Sequence, residues 1–253
     1  MNLKNLFSKK KSSPRCSAVI VAAGSGERMG TDKVFLDLAG VPVLVRAVRP
    51  FQESEYVDEI IIVTRTEKLA EVSDMCKEHG LSKVSKVVSG GATRTESALA
   101  GVSEVGPKCR LVAIHDAARP FITGELIGNL ISCADEFLAA VPAVRCADTI
   151  RIVNDEGVIT GDTDRNYAVQ IQTPQVFDAD IIKGALSYAV THELSLTDDS
   201  SAAKMMGVKV HTVPGDPDNI KLTVPDDLVK GAAILKSRGF YEDRTRIRCS
   251  QAC

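Results

Sequence analysis

The stretch "VIVAAGSGERMGTDKVF", Val19 to Phe35, begins with apolar residues and passes through two alanines into a glycine-rich loop that carries Arg28 and Lys33. An apolar run without polar alternation reads as a strand buried on both faces, the situation of a strand in a parallel sheet between helix layers. Gly24 and Gly26 let the main chain approach a ligand closely. Arg28 presents a planar fork to phosphate oxygens, and Lys33 a point charge. The stretch therefore predicts a strand that ends in a bed for phosphates.

The same reading extends along the chain. Ala18–Ala22, Glu59–Thr64, Lys83–Ser89, Leu111–His115 and Ala139–Val144 read as strands. Between and after them, Val41–Gln52, Glu67–His79, Thr93–Val105 and Thr123–Leu138 read as amphipathic helices, with Pro42 in one first turn and Gly80 past one end. This alternation predicts an α/β fold with a doubly wound, mostly parallel sheet and helices on both faces, with ligands beyond the carboxyl ends of the strands. Asp148 to Asn166 breaks the pattern: two β-like runs flank "NDEG", which predicts a protruding β-hairpin arm. A hairpin alone is marginal in water, so the arm is expected to grip a second copy of the chain, the alternative being a plain extension of the sheet. Alternation then resumes through "IQTPQVF", helices at Asp180–Val190 and Thr197–Met206, a strand at Val208–Val213, a strand containing "DNIKLT", and a last helix from Pro225.

Composition bounds the function. At 253 residues the chain has room for one large α/β domain or two small ones. A formal net charge of -2 argues against a nucleic-acid partner, so any site for anions must be a local cluster. The 7 cysteines are odd in number, with no CxxC pair and no zinc spacing, which suits a reducing cytoplasm. The longest apolar runs, such as Ala18–Ala23, are too short to span a bilayer, so no membrane association is expected. The basic start "MNLKNLFSKKKSSPR" lacks the apolar segment of a secretory signal and reads as a solvated tail.

Phosphate loops come in several designs. A Walker loop requires G-x-x-x-x-G-K-[ST], a spacing not found here. A dinucleotide loop requires G-x-G-x-x-G, but Met29 stands at the third glycine position and Gly30 comes one residue late. A glycine loop with added cations suits reaction at an α-phosphate with pyrophosphate leaving. "HDAARPF", His115 to Phe121, follows a strand directly, which places Asp116 at a carboxyl end where it could hold Mg²⁺, with Arg119 facing a substrate phosphate. "GGATRTES", Gly90 to Ser97, repeats the strand, glycines and helix start; it reads either as a grip on base and ribose or as plain capping. "TDRN", "QTPQ", "LTDDSSA" and "DNIKLT" add Arg165, a helix cap with acids, and Lys221. No serine–histidine or cysteine–histidine nucleophile pair is evident.

"AAGSGERMG" followed by Lys33 resembles the signature of nucleotidyltransferases with the glycosyltransferase-A-like fold. In the order of its motifs, from Cys16 to about Arg238, the chain resembles the 2-C-methyl-D-erythritol 4-phosphate cytidylyltransferase family. The resemblance implies cytidylyl transfer from CTP to methylerythritol phosphate with release of pyrophosphate, in non-mevalonate isoprenoid biosynthesis. It also implies a divalent metal, usually Mg²⁺, and a homodimer clasped by the arm. It divides the chain into a flexible basic tail (1–15), a single nucleotidyltransferase domain (16–240) with its arm at about 147–166, and a flexible C-terminal tail (241–253).

Position by position, the resemblance assigns Arg28, Lys33 and Lys221 to catalysis. It assigns Ala22, Ala23, Gly24, Gly26, Gly91, Ser97, Asp116 and Ala117 to the nucleotide, and Asp116 also to the metal. Arg119, Thr173 and Thr197 fall to the phosphorylated alcohol, joined by Thr149 and Arg165 from the partner's arm. The chain departs from the family where Pro-Lys-Gln is common and Asp32-Lys33-Val34 stands, and where a frequent Asp is Ala92. The loop from Met29 to Lys33 is also shorter than in some members. The competing readings are a ribitol-5-phosphate cytidylyltransferase, a dinucleotide-dependent oxidoreductase and a nucleotide-binding regulator without activity.

Overall fold

A computed structural model describes residues 16–24, 32 and 34–240. Gly26, Arg28, Lys33 and both tails lie outside these described residues. The order of elements is β1 (Cys16–Val21), β2 (Asp37–Leu38), β3 (Val41–Pro42), α1 (Val43–Glu53), β4 (Val57–Thr64), α2 (Leu69–Glu78), β5 (Val84–Ser89), α3 (Arg94–Ser103), β6 (Leu111–Asp116), α4 (Gly124–Phe137) and β7 (Ala139–Arg145). There follow β8 (Arg151–Val153), β9 (Ile159–Asp162), β10 (Val169–Ile171), β11 (Gln175–Asp178), α5 (Ala179–Thr191), α6 (Asp199–Met205), β12 (His211–Pro214) and α7 (Asp226–Ser237).

The main sheet has 8 strands, in the order β10-β7-β11-β6-β1-β4-β5, with β12 also on β7. β6, β1, β4 and β5 run parallel, as does β12 along β7. β11 lies antiparallel against both β6 and β7. β1 sits between β4 and β6, and its continuous apolar run is buried on both faces. One face carries Ala18, Ile20, Ile60, Ile62, Leu111 and Ala113 against Leu44, Val48 and Phe51 of α1 and Leu126, Leu130 and Ala134 of α4. The other carries Val19, Val63, Val112 and Ile114 against Ala98 and Val102 of α3 and Ile182, Ala185 and Leu186 of α5. Each fully buried Val, Leu, Ile or Phe side chain among these contributes about 1.5–3 kcal/mol. α3 lies close because Gly101 has no side chain: a Cβ there would fall 2.3 Å from Val19 Cγ1 and 2.6 Å from Val63 Cγ2.

Helix ends follow the local chemistry. Thr93 caps α3 in a capping box with Glu96, and Thr123 caps α4. Asp198 rather than Thr197 caps α6, accepting from Ser201 N–H. Pro42 closes the short β3 before α1 instead of entering the helix. A 3₁₀ turn over Thr66–Lys68 precedes α2.

Two expectations meet the structure differently. The hairpin forms as β8 and β9, in a two-stranded sheet of its own, so it is not an extension of the main sheet. The expected strand at "DNIKLT" does not form. The carbonyl of Asn219 accepts from Arg119 and Gln172 side chains, and Asp218 N–H donates to Asp216 Oδ1, so these groups are withdrawn from any ladder.

Candidate active site

Asp116 closes β6 at its carboxyl end, with its side chain buried. Both carboxylate oxygens accept from cations. Arg94 Nε donates to Oδ1 at 3.0 Å, and Lys221 Nζ donates to Oδ2 at 2.7 Å. The Arg94 fork is completed by Asp199, whose Oδ1 and Oδ2 accept from Nη1 and Nη2 at 2.9 and 2.8 Å. The start of α3, the end of β6, the start of α6 and the 218–223 segment thus meet in a row of alternating charge.

Burial alone would raise the Asp116 pKa, but Arg94 and Lys221 hold it well below the usual carboxylate range. Burial likewise works against the Arg94 charge, and Asp199 and Asp116 more than restore it. Asp116 is therefore held as an anion between two cations.

The floor under this row is a second, neutral network. His115 is fully buried, and burial pushes its pKa down to about 4. His115 Nε2 lies 3.0 Å from the Arg119 carbonyl, which can only accept, so Nε2 carries the proton. Nδ1 is then the acceptor, and the Thr173 hydroxyl 3.1 Å away donates to it. The same hydroxyl accepts from Asp116 N–H at 3.1 Å. Asn219 Nδ2 donates to the Thr173 carbonyl at 2.9 Å, and Arg119 Nη1 to the Asn219 carbonyl at 2.8 Å. Arg119 Nε and Asn219 Oδ1 are buried without a hydrogen-bond partner among the described residues.

The ends of β1 and β5 adjoin this cluster. Ala22 N–H donates to the Val63 carbonyl, and Ala117 N–H to the Val21 carbonyl. A Cβ on Gly90 would lie 2.7 Å from Ala23 Cβ and 2.6 Å from Ser97 Oγ, so bare main chain is required there. Gly91 N–H donates to Ser97 Oγ at 3.2 Å, and Ser97 Oγ donates to the Thr93 carbonyl at 2.9 Å.

The structure thus brings Asp116, Ala117, Arg119, Thr173 and Lys221 together, with Ala22, Ala23, Gly91 and Ser97 bordering the ends of β1 and β5; Gly24 lies three residues past the last residue of β1. Thr197 precedes the cap of α6, two residues before Asp199, and its hydroxyl lies 3.3 Å from Ser201 Oγ. Thr149 and Arg165 are exposed beside the hairpin, and among the described residues neither hydrogen-bonds to the Asp116 cluster. Sequence reasoning missed Arg94 as a member of the site, and took Asp199 only as one of the acids near a cap. The signal was present in a weak form: one Arg in the first turn of a helix that follows a glycine pair. The chain's departures from its family have local partners. Asp32 pairs with Arg65, just beyond β4, and Ala92 N–H donates to Glu96 Oε2 at 2.6 Å.

Mg²⁺ can be tested against this donor set. Among the described residues no three His, Cys, Asp or Glu side chains cluster as a metal site. Asp116 does fit the other common arrangement, in which one carboxylate joins the phosphates of a substrate. It is kept ionised, and each oxygen accepts one hydrogen bond and keeps a further lone pair.

A mostly parallel sheet with a buried anion and its cations beyond the strands defines a class, the α/β enzymes that handle phosphate esters. Residues 16–237 match the family model "IspD: 2-C-methyl-D-erythritol 4-phosphate cytidylyltransferase". A protein of that name from Caldanaerobacter subterraneus is 41% identical over 227 residues, covering 87% of this chain and 98% of the relative. One from Symbiobacterium thermophilum is 42% identical over 222 residues, covering 87% and 92%. The crystal structure of 4-diphosphocytidyl-2C-methyl-D-erythritol synthase from Anaerococcus prevotii superposes with a TM-score of 0.79 at 30% identity, covering 88% of this chain and 97% of that one. The chain belongs to the 2-C-methyl-D-erythritol 4-phosphate cytidylyltransferase family. It is a nucleotidyltransferase that joins a cytidylyl group from CTP to 2-C-methyl-D-erythritol 4-phosphate in isoprenoid biosynthesis. Among the described residues no helix is long and apolar enough to cross a membrane.

Proposed function

We propose that the transfer is an in-line displacement organised around Asp116. An oxygen of the methylerythritol phosphate attacks the α-phosphorus of CTP; the new O–P bond forms as the bond to the β-phosphate oxygen breaks, and pyrophosphate leaves. The attacking oxygen is already ionised, so the protein supplies positioning and charge stabilisation rather than a strong base. The observation that carries this reading is the pairing of Lys221 and Arg94 with Asp116 at the carboxyl end of β6. Lys221, 35% exposed, is able to turn from Asp116 toward an α-phosphate.

Arg28 and Lys33 act on the triphosphate as the family pattern implies, and Ala22, Ala23, Gly24, Gly26, Gly91, Ser97 and Ala117 border the nucleotide. Asp116 would hold Mg²⁺, which when bound neutralises phosphate charge. Arg119, Thr173 and Thr197 serve the alcohol's side of the site. The enzyme works as a homodimer, each arm lending Thr149 and Arg165 to the other copy's substrate. Exposed Ile152, Val153, Val158, Ile159 and Tyr167 on and beside the hairpin support this. Residues 16–240 act as one domain between two tails. We place the enzyme in the cytoplasm, in keeping with free thiols at Cys16, Cys76, Cys133 and Cys146.

Pyrophosphate release measured with each of the four nucleotides, with and without methylerythritol phosphate, tests the reading. Release should require CTP and methylerythritol phosphate together. Faster release with ribitol 5-phosphate would transfer the assignment to that alcohol.

A further inference from the structure

We propose that Arg94 is a positioning residue of the cytidylyl transfer: Asp199 aims its guanidinium, and the guanidinium sets the carboxylate plane of Asp116. The proposal rests on the assignment of Asp116 to the reaction site.

The geometry is directional. A guanidinium is planar, so fixing two of its nitrogens fixes the line along which the third donates. Asp199 takes Nη1 and Nη2, which leaves Nε aimed at Asp116 Oδ1. Lys221 takes Oδ2, so the two cations define both the plane and the free lone pairs of the carboxylate. Asp199 is a rigid support: it is 1% exposed and opens α6, next to the Asp198 cap. Asp198 is tied in turn to Gln175 Nε2 at 2.9 Å, and Gln175 begins β11, the neighbour of β6. The support thus returns to the strand that carries Asp116.

A lysine at position 94 would keep the charge but lose the fork, and could satisfy only one carboxylate well at a time. An ion pair that merely fastened α3 to α6 would affect stability and leave turnover alone. The two roles separate by experiment. Arg94→Ala would strand a buried Asp199 and endanger folding, so Arg94→Lys and Asp199→Asn are the variants to use, each with thermal unfolding measured alongside kinetics.

Arg94→Lys is expected to lower kcat by about 10²-fold, the scale of a misplacement near 1 Å, with the KM values for CTP and methylerythritol phosphate little changed. Asp199→Asn should lower kcat in the same direction. In the Asp116→Asn background, Arg94→Lys should cost nothing further, because its target is already gone. Three results would overturn the proposal: near-normal kcat in Arg94→Lys while Asp116→Asn is impaired, normal kcat in Asp199→Asn, or a fully additive loss in the double variant. Normal turnover in Asp116→Asn itself would remove the underlying assignment of Asp116, and this inference with it.

Discussion

The carboxyl end of β6 and the β8–β9 hairpin are built on opposite terms. At β6, a buried carboxylate has both oxygens met by cations, and one of them, Arg94, is itself held by the buried Asp199. On the hairpin, Ile152 and Ile159 are 57% and 61% exposed, and no strand of the main sheet pairs with either arm strand. One region pairs its charges within a single chain; the other exposes apolar surface that no described residue of its own chain covers. The difference separates charge stabilisation, which needs rigid burial, from the assembly proposed for the arm, which needs surface left over.

That contrast can be broken in order of expected size. Lys221→Ala leaves Arg94 as the cation hydrogen-bonded to the Asp116 carboxylate among the described residues and removes a charge from the proposed α-phosphate site. We expect kcat for pyrophosphate release to fall about 10²–10³-fold, with circular dichroism unchanged; retained turnover would put the chemistry elsewhere. A second test acts on the arm. Ile152→Asp should weaken self-association by about thirtyfold or more, from roughly 2 kcal/mol per lost anchor, as read by sedimentation across concentrations. Monomer unfolding should barely change, because the side chain buries little within its own chain. If the dimer survives and the monomer unfolds, the arm belongs to its own fold after all.

The smallest effect sharpens the β6 side. Asp227 Oδ2 accepts from Thr223 N–H at 2.8 Å and Val224 N–H at 3.1 Å, closing the segment that carries Lys221. Asp227→Ala should cost about 1 kcal/mol in chemical denaturation, the usual net value of an intramolecular hydrogen bond. Burial works against the Asp227 charge, but the hydrogen bonds from Thr223 and Val224 overcome it, so its folded pKa lies below the unfolded one. Its contribution is therefore present above the unfolded value and lost as pH falls through the folded one. The wild-type protein should lose this part of its stability in acid, and the variant should lack it.

Much of this was legible without coordinates. β1, β4 and β6 are apolar without alternation because both faces are covered, and that pattern is local. Thr93 and Thr123 announce their helices because a cap acts within three residues. "DNIKLT" misleads because Ile220 and Leu222 alternate as in a strand, while the carbonyl of Asn219 is claimed by side chains from distant loops. Arg94 was passed over because a cation in a first turn usually points into solvent.

The linear order of residues, then, set the alternation of strands and helices, the glycine loop and its cations, the hairpin and the family, since each depends on neighbours a few positions apart. Folding alone brought Arg94 to Asp116 across 22 residues and to Asp199 across 105, and gave Lys221 its carboxylate across another 105. Those pairings depend on where the ends of separate elements converge once the sheet has closed, and no local pattern records that convergence.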